Sequence, residues 1–123
     1  MNPWLTIGAL YGFLGVAFGA FGAHALRARL SADALAIWHT AVEYQFYHAG
    51  ALLIVGLWLN QQPAKMLDAA GLCFAVGVVV FSGSLYALAL SGIRGLGAIT
   101  PIGGLLFLAG WLILLWRAAQ LGR

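Results

Sequence analysis

Four apolar runs, each close to the ~20 residues a helix needs to cross a bilayer, take up nearly all of this chain. They cover about residues 4–26, 33–59, 66–90 and 99–117, and the breaks between them are short. Arg27, Arg29, Ser31 and Asp33 lie in the first break, with Ser31 or Asp33 suited to cap the next helix. Asn60-Gln61-Gln62-Pro63 and Lys65 form the second, and Ser91-Gly92-Ile93-Arg94-Gly95 the third. Thr100-Pro101 reads as an N-cap followed by a first-turn proline. Connections this short join antiparallel neighbours. The expected fold is therefore all-α: one polytopic domain over residues 1–123, an integral membrane four-helix bundle running up-down-up-down.

Composition supports a lipid setting. Of 123 residues, 63% are hydrophobic and 7% charged, against about 25% charged in an ordinary soluble domain. Six Lys/Arg and three Asp/Glu cannot cover a globule of this size in water. The net charge of +3 does not indicate nucleic acid, because the basic residues are scattered singly. Cys73 sits alone in an apolar run, so an intramolecular disulfide is excluded and a packed small hydrophobe is expected.

Ala23-His24-Ala25 resembles a small-x-small cleavage site. Met1-Asn2-Pro3 carries no Lys or Arg, however, and the apolar stretch exceeds the usual signal-peptide core of about 7–15 residues. The first run is expected to remain as a helix. Four spans would place Lys65, Arg117 and Arg123 on one side and Arg27, Arg29 and Arg94 on the other. That balance gives the positive-inside rule nothing to act on.

The first run carries Gly8, Gly12, Gly15, Gly19 and Gly22 at alternating spacings of four and three, which keeps them on one helix face. A glycine face lets a neighbouring backbone approach closely, and in lipid such packing replaces the missing hydrophobic drive. Helix packing of the glycine-zipper kind is the expected role.

The second run is anomalous. Its N-terminal half carries His39, Glu43, Tyr44, Gln45, Tyr47 and His48, and only the part after His48 is uniformly apolar. A charge inside the bilayer costs about 2.5–3.5 kcal/mol on insertion scales, so such a carboxylate marks a candidate functional site. His39 and Glu43, four apart, share a face, while Tyr44 and His48 project from nearly the opposite one. By topology His24, Arg94 and Thr100 lie on the same membrane side, and Ser82 and Ser84 stand near the middle of the third helix.

Several readings of this cluster stay open. Glu43 can be a buried acid paired with His39 or an Arg, or the titrating group of a proton or ion pathway. His24, His39, His48 and Glu43 can be read as a metal or haem site, although the histidines point to opposite faces. Arg94 and the positive end of the fourth helix can face a lipid headgroup or quinone. Catalysis is the weakest reading, with no nucleophile–base pair or phosphate loop in view.

The motifs carrying these residues resemble a known family. Gly19-Ala20-Phe21-Gly22-Ala23-His24-Ala25-Leu26 is similar to its first signature, and Trp38-His39-Thr40-Ala41-Val42-Glu43-Tyr44-Gln45-Phe46-Tyr47-His48-Ala49 to its second. Phe81-Ser82-Gly83-Ser84-Leu85-Tyr86 and Gly97-Ala98-Ile99-Thr100-Pro101-Ile102-Gly103-Gly104 complete the set. The chain thus resembles, over essentially its whole length, the YgdD/YwdK-type small inner-membrane proteins, a family of unknown function with eukaryotic relatives. The resemblance implies a multi-pass protein of a bacterial inner (cytoplasmic) membrane and brings no activity, cofactor or catalytic residue.

The resulting expectation is a non-enzymatic membrane protein with an intramembrane polar site, drawn from His24, His39, Glu43, His48, Ser82, Ser84, Arg94 and Thr100, that binds a lipid-like or other small ligand or supports a membrane partner. No metal and no cofactor are assigned. Membrane lipids are the expected partners, a homo-oligomer is compatible with so thin a bundle, and nucleic acid is not expected. The alternative is a small proton- or ion-coupled transporter or channel that uses Glu43.

Overall fold

The computed structural model describes residues 2–122. Arg123, which enters the charge balance above, and Met1 lie outside them. Every regular element among the described residues is helical. Four long helices follow one another: α1 (Trp4–Leu26), α2 (Ala32–Gln61), α3 (Lys65–Ser91) and α4 (Thr100–Leu121). A 3-10 turn over Arg94–Ala98 leads into α4.

Each boundary has a local cause. Ser31 is extended and its hydroxyl accepts the Ala34 N–H at 3.1 Å, capping α2. Pro63 follows closely on the end of α2 and cannot continue it. α3 stops at Gly92, whose φ of 72° lies in the left-handed region and whose N–H closes on the Leu88 carbonyl at 2.8 Å. Thr100 departs from the expected capping role. It lies inside α4, Ile99 is the N-cap, and the Thr100 hydroxyl bonds sideways to Ser84.

Three segments are long and apolar enough to cross a membrane: Trp4–Leu26, Lys65–Ser91 and Arg94–Leu121. The expected fourth, α2, has the length, since 30 residues rise about 45 Å. Its N-terminal half is too polar to match the others, for the reason already visible in His39, Glu43, Gln45 and His48.

The four helices do not close into a ring. α1 packs on α2, α2 on α3 and α3 on α4, while α4 keeps its backbone more than 8 Å (Cα–Cα) from both α1 and α2. α2 and α3 are therefore the central pair. One apolar core forms where Leu52, Val55, Leu67 and Phe74 are buried between them. A smaller one at the other end joins Trp38, Val42 and Ala89.

Glycines set the spacing of these contacts. A Cβ on Gly8, Gly15, Gly19 or Gly22 would stand 3.0 Å from an atom of α2, whereas one on Gly12 would meet nothing within 4 Å. On α3 and α4, Gly71 receives the Trp4 ring, Gly110 the Phe74 ring and Gly77 the Phe107 ring. α1 is π-helical over Ala17–Gly22. There the Phe18 carbonyl accepts both the Ala23 N–H and, at 2.9 Å, the Trp38 indole N–H of α2.

At the opposite end the side chains tie the helices together before the chain leaves the bundle. The Trp4 indole donates to Asp68 at 2.9 Å, and the Asn2 amide donates to the Gly56 carbonyl at 2.6 Å and to Asn60 at 3.2 Å.

Candidate functional site

Helical periodicity gives α2 three faces. One, with Val42, Phe46 and Ala49, meets the glycine side of α1. A second, with Ala41 and Gln45, meets α3. A third, with Tyr44 and His48, looks toward α4 across the gap between backbones. His39 and Glu43 fall on none of these. Both are exposed, and neither makes a side-chain hydrogen bond or ion pair among the described residues.

Aromatic side chains bridge the α2–α4 gap. The His48 imidazole stacks on Phe107 at 3.6 Å between centroids and 6° between planes. Tyr44 lies 4.5 Å from the Phe81 ring, which in turn sits 5.3 Å from Phe107. The Trp111 indole donates to His48 Nε2 at 3.0 Å. An indole N–H can only donate, so Nε2 is the unprotonated acceptor. The imidazole proton is therefore on Nδ1, which donates to the Tyr44 carbonyl at 2.7 Å. His48 is 4% exposed, neutral, and has both nitrogens occupied.

Above this layer lies a groove of about 720 Å³, walled by Tyr44, Tyr47, Phe81, Leu105, Leu108 and Trp111, with Pro101 and Gly104 along one edge. It opens sideways, toward the surface that apolar side chains such as Leu105 (66% exposed) present. Its size falls in the range of about 300–1,000 Å³ typical of small-molecule sites, and it is apolar apart from a few polar atoms.

On the other side of the central pair, Gln45 joins three helices. Its Nε2 donates to the Tyr11 carbonyl of α1 at 2.8 Å and its Oε1 accepts the Tyr86 hydroxyl of α3 at 2.6 Å. The Tyr11 hydroxyl reaches on to the Ala75 carbonyl at 2.8 Å. A smaller groove of about 220 Å³ runs past these groups, and Gly83 leaves its floor open.

The sequence-derived site residues are distributed rather than gathered. Ser84 and Thr100 meet at 2.6 Å; the Ser84 proton goes to the Phe81 carbonyl, which makes Thr100 the donor of the pair. Ser82 is buried and donates to the Ala41 carbonyl at 2.7 Å. His48 lies in the aromatic layer. His24 and Arg94 are exposed at the end of the bundle where α1 finishes and α4 begins, away from His48. Among the described residues no three of His, Cys, Asp and Glu stand close enough to hold a metal ion.

The groove's own principal residues, Trp111 and Phe107, and the Gln45–Tyr86–Tyr11 junction were not among those candidates. One signal was available. A tryptophan in mid-span has an N–H that needs an acceptor, and His48 is the histidine that an apolar stretch on α2 leaves deepest. Ser82 ties α3 to α2 through the Ala41 carbonyl, and Ser84, whose own proton goes to Phe81 on the same helix, ties α3 to α4 by accepting from Thr100.

Comparison with known proteins adds the family. The chain is 50% identical over 115 residues to a UPF0382 membrane protein of Staphylococcus haemolyticus, covering 94% of this chain and 93% of the relative. A UPF0382 membrane protein of Staphylococcus epidermidis is 47% identical over 114 residues, 93% of each chain. The UPF0382 membrane protein YwdK of Bacillus subtilis is 38% identical over 121 residues, 98% of each chain. No solved structure matches. Residues 18–104, from the π-helical stretch through the start of α4, match the family model described as protein of unknown function (DUF423). Taken with its apolar helices, this shows that the chain belongs to the DUF423 (UPF0382) family of membrane proteins.

Proposed function

We propose that this protein is a non-enzymatic, four-span protein of the bacterial inner membrane that holds one lipid-like molecule in the groove between α2, α3 and α4. The observation that carries the reading is the gap itself. Two helix backbones that never come within 8 Å are bridged by rings, and the space left above the rings has the size of a small-molecule site. In a bundle selected only for packing, that space would be filled by a larger residue than Gly104. The walls suit a flat or chain-like apolar group, with Tyr44 and Tyr47 offering hydroxyls at one rim.

In this reading α2 spans the membrane with the other three, with Gln45 and His48 absorbed by the bundle on two faces. His48 and Trp111 satisfy each other and form a dry floor. The bound molecule is held by contact area rather than by charge.

Gly104→Leu tests the idea without touching the core, because the nearest atom to a Cβ there is Phe81 Cε2 at 4.0 Å. Protein extracted in mild detergent is analysed by native mass spectrometry and lipid extraction. Wild type should carry about one apolar molecule per chain, and Gly104→Leu should lose it while melting normally. Equal amounts on both proteins, or none on either, would remove the groove as a binding site.

A further inference from the structure

We infer that the outward face of α2 is the contact surface for a second copy of this chain, inserted in the same orientation. The observation is an outward line of positions on α2 that the single chain leaves unused. Ala36, Glu43, Gly50 and Leu57 recur at intervals of seven and all four are exposed. A straight helix drifts only about 20° per heptad, so the four stay on one line through three heptads. A line that stays on one face over this length can serve as the contact line between two parallel helices.

Gly50 distinguishes this face from the packed ones. A Cβ there would meet nothing within 4 Å, whereas one on Gly56, on the same helix, would stand 2.7 Å from Leu5. Gly50 therefore leaves space for a close neighbour that the chain itself does not supply. Small residues at such positions are what allow membrane helices to approach.

Charge selects the occupant. Glu43 has no partner among the described residues and faces outward about 11 residues into α2; with α2 spanning the membrane as proposed above, acyl chains there cannot solvate a carboxylate. His39 is exposed one turn nearer the helix start. Along the axis the two positions are about 6 Å apart, four residues at 1.5 Å each, a separation that a Glu and a His side chain on facing helices can span. Under a two-fold axis along the membrane normal, each Glu43 meets the His39 of the other copy, and the surface is self-complementary as an isologous interface requires. This inference rests on the reading that α2 spans the membrane and not on the groove.

Single cysteines in a Cys73→Ser background test it in vesicles of native lipid. Under mild oxidation Gly50→Cys and Leu57→Cys should form disulfide-linked dimers, and Leu112→Cys, exposed on α4, should not. Glu43→Gln or His39→Gln should weaken dimer association about fivefold to tenfold, the equilibrium equivalent of two symmetry-related interhelical hydrogen bonds at their average strength in membranes. The exchange of Glu43→His with His39→Glu should restore it. Förster transfer between labelled wild-type chains, measured on dilution into excess lipid, provides a readout free of cysteine substitutions. Crosslinking at Gly50→Cys no greater than at Leu112→Cys, dimer unaffected by Glu43→Gln, or no energy transfer at any dilution would overturn the interface.

Discussion

The indole N–H of Trp111 donates to Nε2 of His48 across 3.0 Å, joining α4 to α2 where their backbones do not approach. With the imidazole and the Tyr44 ring both stacked toward Phe107, one hydrogen bond and these ring contacts hold the two helices in register. The pair is the support for everything above it in the groove.

Trp111→Phe keeps the ring and removes the donor, leaving Nε2 of a buried histidine without a partner. The expected cost is about 1–3 kcal/mol, read from unfolding in detergent by denaturant titration. Nitrogen NMR on histidine-labelled protein should show His48 as the Nδ1–H tautomer in wild type. A wild-type spectrum with the proton on Nε2 would contradict the geometry.

Glycine positions should separate sharply. A Cβ on Gly103 would stand 2.5 Å from the Phe81 backbone nitrogen, so α3 and α4 must move apart to accept it. Gly103→Ala should destabilise by about 1–3 kcal/mol. Gly12→Ala, with nothing within 4 Å, should be neutral within about 0.5 kcal/mol. Similar melting of the two variants would mean that α3 and α4 pack less closely than described.

Gln45→Leu removes both bonds of the three-helix junction while keeping the side chain's bulk. Interhelical hydrogen bonds in membranes average about 0.6 kcal/mol, so the loss should be about 1 kcal/mol. Tyr86→Phe should cost at least half as much, because it leaves Gln45 Oε1 bare. A double-mutant cycle in detergent measures their coupling, and strict additivity would show that the two do not interact.

Trp38→Phe should loosen the π-helical part of α1. The Trp38 indole supplies the second donor to the Phe18 carbonyl, and without it the wider turn loses a partner. Amide hydrogen exchange over residues 17–23 should rise relative to residues 5–15. Unchanged protection would mean that the Gly19 and Gly22 contacts alone maintain the turn.

Much of the fold was readable because it depends on local chemistry. Three of the four apolar runs, the Ser31 cap and the close packing of Gly8, Gly15, Gly19 and Gly22, though not Gly12, follow from residue type and helical period, and each is a relation between positions close in sequence. The same period separated His39 and Glu43 from Tyr44 and His48. What it could not supply was the identity of the neighbour. His48 and Trp111 are 63 positions apart, and no periodicity within one helix states which ring will face which nitrogen. Thr100 shows the same limit at short range. Its position before Pro101 suggested a cap, but Ser84 on the preceding helix takes its hydroxyl. The tight glycines of α3 and α4 were not distinguishable from open ones such as Gly83, because close approach depends on the aromatic that arrives from the next helix.

The open row of helices, in which α1 and α4 never meet, has a consequence for how the protein is made. A closed ring needs a last step that joins the ends of the chain, and that step must wait for the final helix. Here every major backbone interface lies between helices adjacent in sequence, so each helix can dock on its predecessor as it leaves the insertion machinery. Contacts of short sequence separation form fast. Assembly can therefore keep pace with synthesis, and truncation after α3 should leave the first three helices able to associate on their own.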